Sequence, residues 1–247
     1  MEFGRLAATF LVGILASSIG TMSGGAGLIG IPFLIFMGLP PQAAIATHKL
    51  GGVGLSLGGL WRFIRSDEIA WPYVIKFSIL AFIGSFLGAQ LLMQVDEHWL
   101  KRIIIIILIV LLPVVLFQRD LGIVSRIKSK GWLRTGYLFY GLVMIWAGFI
   151  GAGSGAMIFY ILMFFFGFTI NQSSATQKIP GLVATMTALT IFILHGLVNW
   201  HFGLVLFAGM VIGGYLGAHL ALKMGNAWVK VVFVIMVLAL TVRLMLG

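Results

Sequence analysis

The chain carries one hydrophobic module twice. Gly13, Gly20, Gly25 and Gly27 recur at a shift of 128 positions as Gly141, Gly148, Gly153 and Gly155. One residue is added before Gly167, and the shift becomes 129. Gly38, Ala46, Thr47, Lys49 and Gly52 then return as Gly167, Ala175, Thr176, Lys178 and Gly181. The register continues through Trp71/Trp200, Gly84/Gly213, Trp99/Trp228 and Lys101/Lys230. A duplicated bundle of this kind in a membrane protein points to a secondary transporter with its site between the halves.

Composition places the bundle in lipid. Of 247 residues 61% are hydrophobic and only 9% charged, with a mean hydropathy of +1.13. A soluble domain normally needs about a quarter of its residues charged to cover its surface. The absence of cysteine excludes a disulfide framework, a thiolate metal site and a cysteine nucleophile. The net charge of +10 comes mostly from residues between apolar spans. That arrangement fits membrane topology and anionic headgroups, and no basic stripe with exposed aromatics supports nucleic-acid binding. Leu6–Ile19 is expected to be a structural segment rather than a cleaved leader, since Arg134–Ala147 is its counterpart.

The expected fold is all-α and integral to the membrane, in two repeats of five segments each. Residues 1–117 form the first repeat, 118–132 a basic cytoplasmic linker, and 133–247 the second repeat. The first-half segments are Arg5–Met22, Gly27–Gly38, Pro41–Ile64, Ile69–Met93 and Trp99–Phe117. Their counterparts are Leu133–Gly151, Gly155–Gly167, Ile170–His195, Val198–Met224 and Trp228–Leu246. The second segment of each half has about a dozen residues, roughly 20 Å of helix or less against a ~30 Å hydrocarbon core. Each half therefore opens with a glycine-broken helical hairpin. Five crossings per half invert the second repeat relative to the first, and the positive-inside rule then puts ten basic residues inside against five outside. Short segments that re-enter without crossing would make the repeats parallel instead.

Three features carry the chemistry. At the breaks, Ser23, Gly24, Gly25, Ala26 and Gly27, with Gly151, Ala152, Gly153, Ser154 and Gly155, let a ligand approach bare backbone. A short helix starting there aims its N-terminal N–H groups at an anion. Tight packing through small residues is the alternative use of the same glycines. Next come the motifs Ala46–Lys49 and Ala175–Lys178. Their lysines lie about 12 Å into the third segments and mark a pathway unless they snorkel to the headgroups. Thr47, His48, Thr176 and Gln177 stand beside them with neutral hydrogen-bonding groups. Last, all six acids (Glu2, Asp67, Glu68, Asp96, Glu97, Asp120) fall at segment ends or loops. Two lysines, helix N-termini and hydroxyls without a carboxylate favour an anion. The histidines offer no metal spacing, and no acid lies at depth to build a catalytic triad. His219 is assigned to helix packing; His98, His195 and His201 to interfacial solvation.

The two glycine-rich hairpins (GTMSGGAGLIGIPFL, GFIGAGSGAMIFYIL), each followed by a helix start reading QAAIAT or QSSAT and a later GxxLGA, resemble the TauE/SafE family of membrane permeases, from about Phe10 to Leu246. That family is associated with export of sulfite, sulfoacetate and related small oxyanions. Members often show Thr-Ser after the alanines, where this chain has Thr47-His48 and Thr176-Gln177. The resemblance and the residues together imply a carrier of a small sulfur or carbon oxyanion in the cytoplasmic (inner) membrane, working by alternating access without a cofactor. The site set is Ser23, Gly24, Gly25, Gly27, Thr47, His48, Lys49, Gly151, Gly153, Ser154, Gly155, Thr176, Gln177 and Lys178. An anion channel and a non-transporting assembly or sensor subunit are the rivals. The coupling ion (proton, through His48, or sodium), self-association and direction of transport stay open.

Overall fold

The structure is a computed structural model that describes residues 2–95 and 130–246. Asp96–Ser129 lie outside the described residues, and with them the expected segment Trp99–Phe117, most of the linker, and Asp96, Glu97, His98 and Asp120. Among the described residues there are eight helices and no strand. They are α1 (Glu2–Ser23), α2 (Ala26–Phe36), α3 (Pro41–Phe63), α4 (Trp71–Gln94), α5 (Lys130–Phe149), α6 (Ser154–Phe166), α7 (Ile170–Leu194) and α8 (Trp200–Leu246, kinked at Gly225). The helices α1–α7 fall within a few residues of their expected bounds, and α8 runs through both expected segments Val198–Met224 and Trp228–Leu246, separated by the kink at Gly225.

Local chemistry sets several of these boundaries. Pro41 opens α3, where a missing N–H is harmless. Thr169 and Gln172 form a reciprocal capping box at the start of α7. Among the described residues four helices are long and apolar enough to cross a membrane: Phe3–Ser23, Trp71–Gln94, Ile170–Leu194 and Trp200–Gly225. Leu11 and Leu15 on α1, Ile75, Ile79 and Phe82 on α4, and Leu138 and Leu142 on α5 are exposed and present their side chains to lipid. Trp71, Trp200 and Trp228 are exposed as well.

The two halves interlock. The first helix of each half packs on the fourth helix of the other: α1 on α8, and α5 on α4. Both seams depend on glycines that let backbones touch. A Cβ on Gly209, Gly213 or Gly217 of α8 would collide with Phe10, Ile14 or Ser18 of α1; one on Gly84 or Gly88 of α4 would collide with Met144 or Ile145 of α5. Residue numbers rise together along each seam, so the paired helices run in the same direction. The same holds for α3 beside α8, where Gly54 meets Phe207 and Gly58 meets Val211. It holds for α4 beside α7 too, joined by Ala70 with Thr176 and Ser85 with Ala184. At the centre α3 and α7 run opposite ways, with Gly52 against Thr185 and Gly59 against Lys178.

The short helices α2 and α6 have 11 and 13 residues. Each nevertheless brings the chain back to where its hairpin began. Arg5 near the start of α1 donates to the Met37 carbonyl just past α2. Trp132 Nε1 near the start of α5 donates to the Phe164 carbonyl near the end of α6, at 3.2 Å. Apart from the buried Lys49 and Lys178, helix direction also gathers several basic residues. Arg62, Arg65, Lys76, Lys130, Arg134 and Lys223 stand at the end where α3 finishes and α4 begins, and Arg5 stands at the other. His219 bridges helices as a packing residue, stacked on Tyr215 and accepting from Arg62 Nε at 3.4 Å.

Candidate functional site

The two broken hairpins meet back to back. Gly24 has a φ of +72°, a conformation that L side chains rarely adopt, and its backbone lies against that of Gly155. The repeat-related contact sets Gly27 against Ala152, 3.4 Å from a Cβ placed on Gly27. The two turns are not copies of one another. The first uses one left-handed glycine, Gly24, while the second uses two, Gly151 and Gly153. Trp146 Nε1 pins the second turn by donating to the Ala152 carbonyl at 3.0 Å. Neither α2 nor α6 has a side-chain cap at its N-terminus.

Beside the breaks lies a cavity of about 150 Å³, walled by α1, α2 and α3 of the first half and α5, α6 and α7 of the second. That volume falls below the ~300–1,000 Å³ of sites for drug-sized ligands and suits a solute of a few heavy atoms. Of the expected residues, Gly24, Gly27, His48, Lys49, Gly151, Ser154, Gly155, Gln177 and Lys178 line it.

Both lysines are buried, with 8% and 5% of their surface exposed, so neither snorkels to the headgroups. The Lys49 ammonium donates to the Ala147 carbonyl in the last turn of α5. The Lys178 ammonium donates to Thr21 Oγ1 in the last turn of α1, at 3.3 Å. Each charge thus rests on the C-terminal end of the other half's first helix. The last carbonyls of a helix lack intrahelical partners there, and its dipole favours a cation. Gly151 and Gly59 make room: a Cβ on either would stand 2.7 Å from the Lys49 Nζ or the Lys178 Cε. Among the described residues no carboxylate lines the cavity. Among the described residues no group of three His, Cys, Asp or Glu side chains could hold a metal ion.

The structure places the two threonines elsewhere. Thr47 Oγ1 accepts from the Asn199 N–H at 3.0 Å, at the start of α8, and Thr176 Oγ1 accepts from the Ala70 N–H at 2.9 Å, at the start of α4. Ala70 and Asn199 are themselves 129 apart, so the conserved spacing of the threonines records a duplicated helix cap. Ser23, Gly25 and Gly153 shape the turns without lining the cavity; the Ser23 hydroxyl donates to the Ile19 carbonyl at 2.8 Å. Replacing Thr47 or Thr176 with valine leaves an N–H unpaired and is expected to cost about 1–3 kcal/mol of stability. Thermal unfolding should drop in both variants, and a thermal midpoint unchanged in either would dismiss the capping role.

The lining hydroxyls are instead Ser56 and Thr185, with Ser154 and Ser174. Ser154 and Ser174 donate to the Gly151 and Thr21 carbonyls at 2.7 and 2.6 Å. Ser56 and Thr185 make no hydrogen bond to protein among the described residues and are open to a ligand. They too stand 129 apart, a signal hidden by the change of residue between copies. His48 fills the notch left by Gly30, and its buried Nε2 has no partner among the described residues.

Paired broken hairpins around a cavity that holds two buried lysines, inside a shell of lipid-facing helices, fit a multi-pass membrane protein of the transporter class. The chain belongs to the sulfite exporter TauE/SafE family, whose model matches residues 9–244. It is 29% identical to a probable membrane transporter protein of Haemophilus influenzae over 239 residues, 97% of this chain and 94% of the relative. It is 30% identical to the probable membrane transporter protein YfcA of Escherichia coli over 242 residues, covering 97% and 89%. YunE of Bacillus subtilis, with the same description, is 24% identical over 87% of this chain and 88% of its own. No solved structure matches the chain significantly.

Proposed function

We propose that this protein is an inverted-repeat secondary transporter that moves a small anion (sulfite, an organosulfonate or a related oxyanion or carboxylate) across the cytoplasmic membrane by alternating access. The observation that carries the reading is the pair of buried ammonium groups, Lys49 and Lys178, facing one cavity that has no carboxylate among its described lining residues. A negative solute supplies the missing counter-charge. The uncapped starts of α2 and α6 add the positive ends of two helix dipoles. Ser56, Thr185 and Gln177 add neutral donors. Inversion is supported by helix direction: α1, α3 and α8 run one way, and α4, α5 and α7 the other. The cluster of basic residues where α3 ends supports a cytoplasmic position for that end. Rocking of one half against the other around the glycine contact would expose the cavity to each side in turn.

For energy coupling we favour the proton. His48 is the one imidazole in the lining. Lys49 is its charged neighbour, whereas Gly27 and Gly30 of α2 and Met210 of α8 bring it none. The Ala147 and Thr21 carbonyls, which would otherwise suit sodium, are already bonded to Lys49 and Ser174.

The test is counterflow in proteoliposomes with a panel of sulfite, methanesulfonate, sulfoacetate and acetate. A carrier exchanges internal for external labelled anion without net driving force, and uptake should follow an imposed pH gradient rather than a sodium gradient. Flux without counterflow makes the protein a channel, and no flux of any of the anions removes the reading.

A further inference from the structure

Tyr140 lies on α5, away from the glycine breaks, with its ring fully buried and stacked on Phe77 at 4.4 Å between centroids. Its hydroxyl donates to Gln177 Oε1 at 2.7 Å. A buried phenol needs an acceptor for its proton, and among the described residues Gln177 is the acceptor it has. Turning the amide over would set Nε2 against the phenol oxygen and leave the phenol proton unpaired, so hydrogen-bond satisfaction fixes the amide. Oε1 therefore faces α5 and Nε2 faces the cavity. Nε2 stands next to Gly181, 3.6 Å from a Cβ placed there, with Ser56 Oγ 3.9 Å from the same point; all three residues line the cavity. No protein acceptor meets Nε2 among the described residues.

We propose that Tyr140 is a positioning residue that sets the specificity of the cavity. It holds Gln177 so that both amide N–H bonds face the ligand. The cavity-facing end of the Gln177 amide then offers two donors and no acceptor, beside the hydroxyls of Ser56 and Thr185. At that point it favours an anion oxygen, which accepts from the amide N–H bonds, over a donor group presented to Nε2. The first half has no such device, because Val12 stands in the place of Tyr140 and His48 in that of Gln177. The two walls differ chemically, so the anion takes one pose rather than two mirror-related ones. The specificity rests on the anion reading given above, whereas the orientation of the amide does not.

The full-length protein in detergent tests both parts. Sulfite and methanesulfonate affinities are measured by calorimetry for wild type, Y140F, Q177A and the double variant. Y140F keeps the buried ring and should weaken both anions by about five- to ten-fold, the worth of one neutral hydrogen bond. On the Q177A background it should change nothing further. The same loss in both backgrounds would mean that Tyr140 acts by packing, and would overturn the assignment. Ligand-free protein labelled with ¹⁵N-glutamine, with Q177A identifying the signal, gives an independent reading. Both Gln177 amide protons should exchange readily with cavity water in wild type. A strongly protected proton would place Nε2 against the tyrosine and overturn the orientation. Failure of both anions to bind wild type removes the anion reading and the specificity with it, and the exchange experiment still decides the placement of the amide.

Discussion

On the anion-transporter reading, replacing Lys49 or Lys178 with methionine should abolish transport without unfolding the protein. Methionine keeps most of the stem that fills the space beside Gly151 or Gly59 and removes only the ammonium. A bound anion about 4 Å from that ammonium gains ~4 kcal/mol at an effective dielectric constant of 20. Its loss corresponds to about a thousand-fold in affinity for each lysine. Stability moves the other way. An ammonium held by a single carbonyl or hydroxyl is a buried charge with incomplete compensation, so its removal relieves desolvation as it frees one acceptor. The melting temperature should therefore hold or rise while calorimetric binding and liposome uptake disappear. Wild-type transport by both variants would dismiss the lysines from the site.

Gly24→Ala is expected to combine two separate costs, and three glycines separate the reasons. Gly196 has a φ of +68° in open space, so Gly196→Ala measures backbone strain alone, about 1–2 kcal/mol. Gly155 carries no positive φ but touches the Gly24 backbone, so Gly155→Ala measures the clash alone, about 1–3 kcal/mol. Gly24 meets both conditions, and its alanine variant should lose about the sum. Yield of monodisperse protein and thermal unfolding should rank wild type first, the two single-cause variants next and Gly24→Ala last. A Gly24→Ala protein as stable as Gly196→Ala would show that the hairpins part easily.

The duplication made most of the fold readable from sequence. Two copies in register gave each helix a second witness, and the lysines at 49 and 178 stood out because a charge is dear in that setting. The same logic put the threonines beside the lysines, whereas the structure sets them outside the cavity lining. Thr47 and Thr176 recur because each caps a helix of the opposite half, a role that spacing cannot tell from ligand binding. Ser56 and Thr185 escaped notice because serine in one copy became threonine in the other. Tyr140 had no counterpart to betray it. Glycine composition located both breaks, but it could not say that one turn bends at Gly24 and the other at Gly151 and Gly153. Identity grants a residue access to positive φ, and the surrounding contacts decide which residue uses it.

The exchange of caps has a consequence for biogenesis. Lys49 finds its carbonyl on α5, Lys178 its hydroxyl on α1, and the first turn of α4 its acceptor on α7. A nascent chain that has delivered only its first half to the bilayer therefore holds a naked ammonium and frayed helix ends, with no partners yet synthesised. Insertion machinery has to shelter that intermediate until α8 arrives to clasp α1. Either half produced alone would be prey for quality-control proteases, while the two co-expressed from separate messages have everything needed to rescue each other.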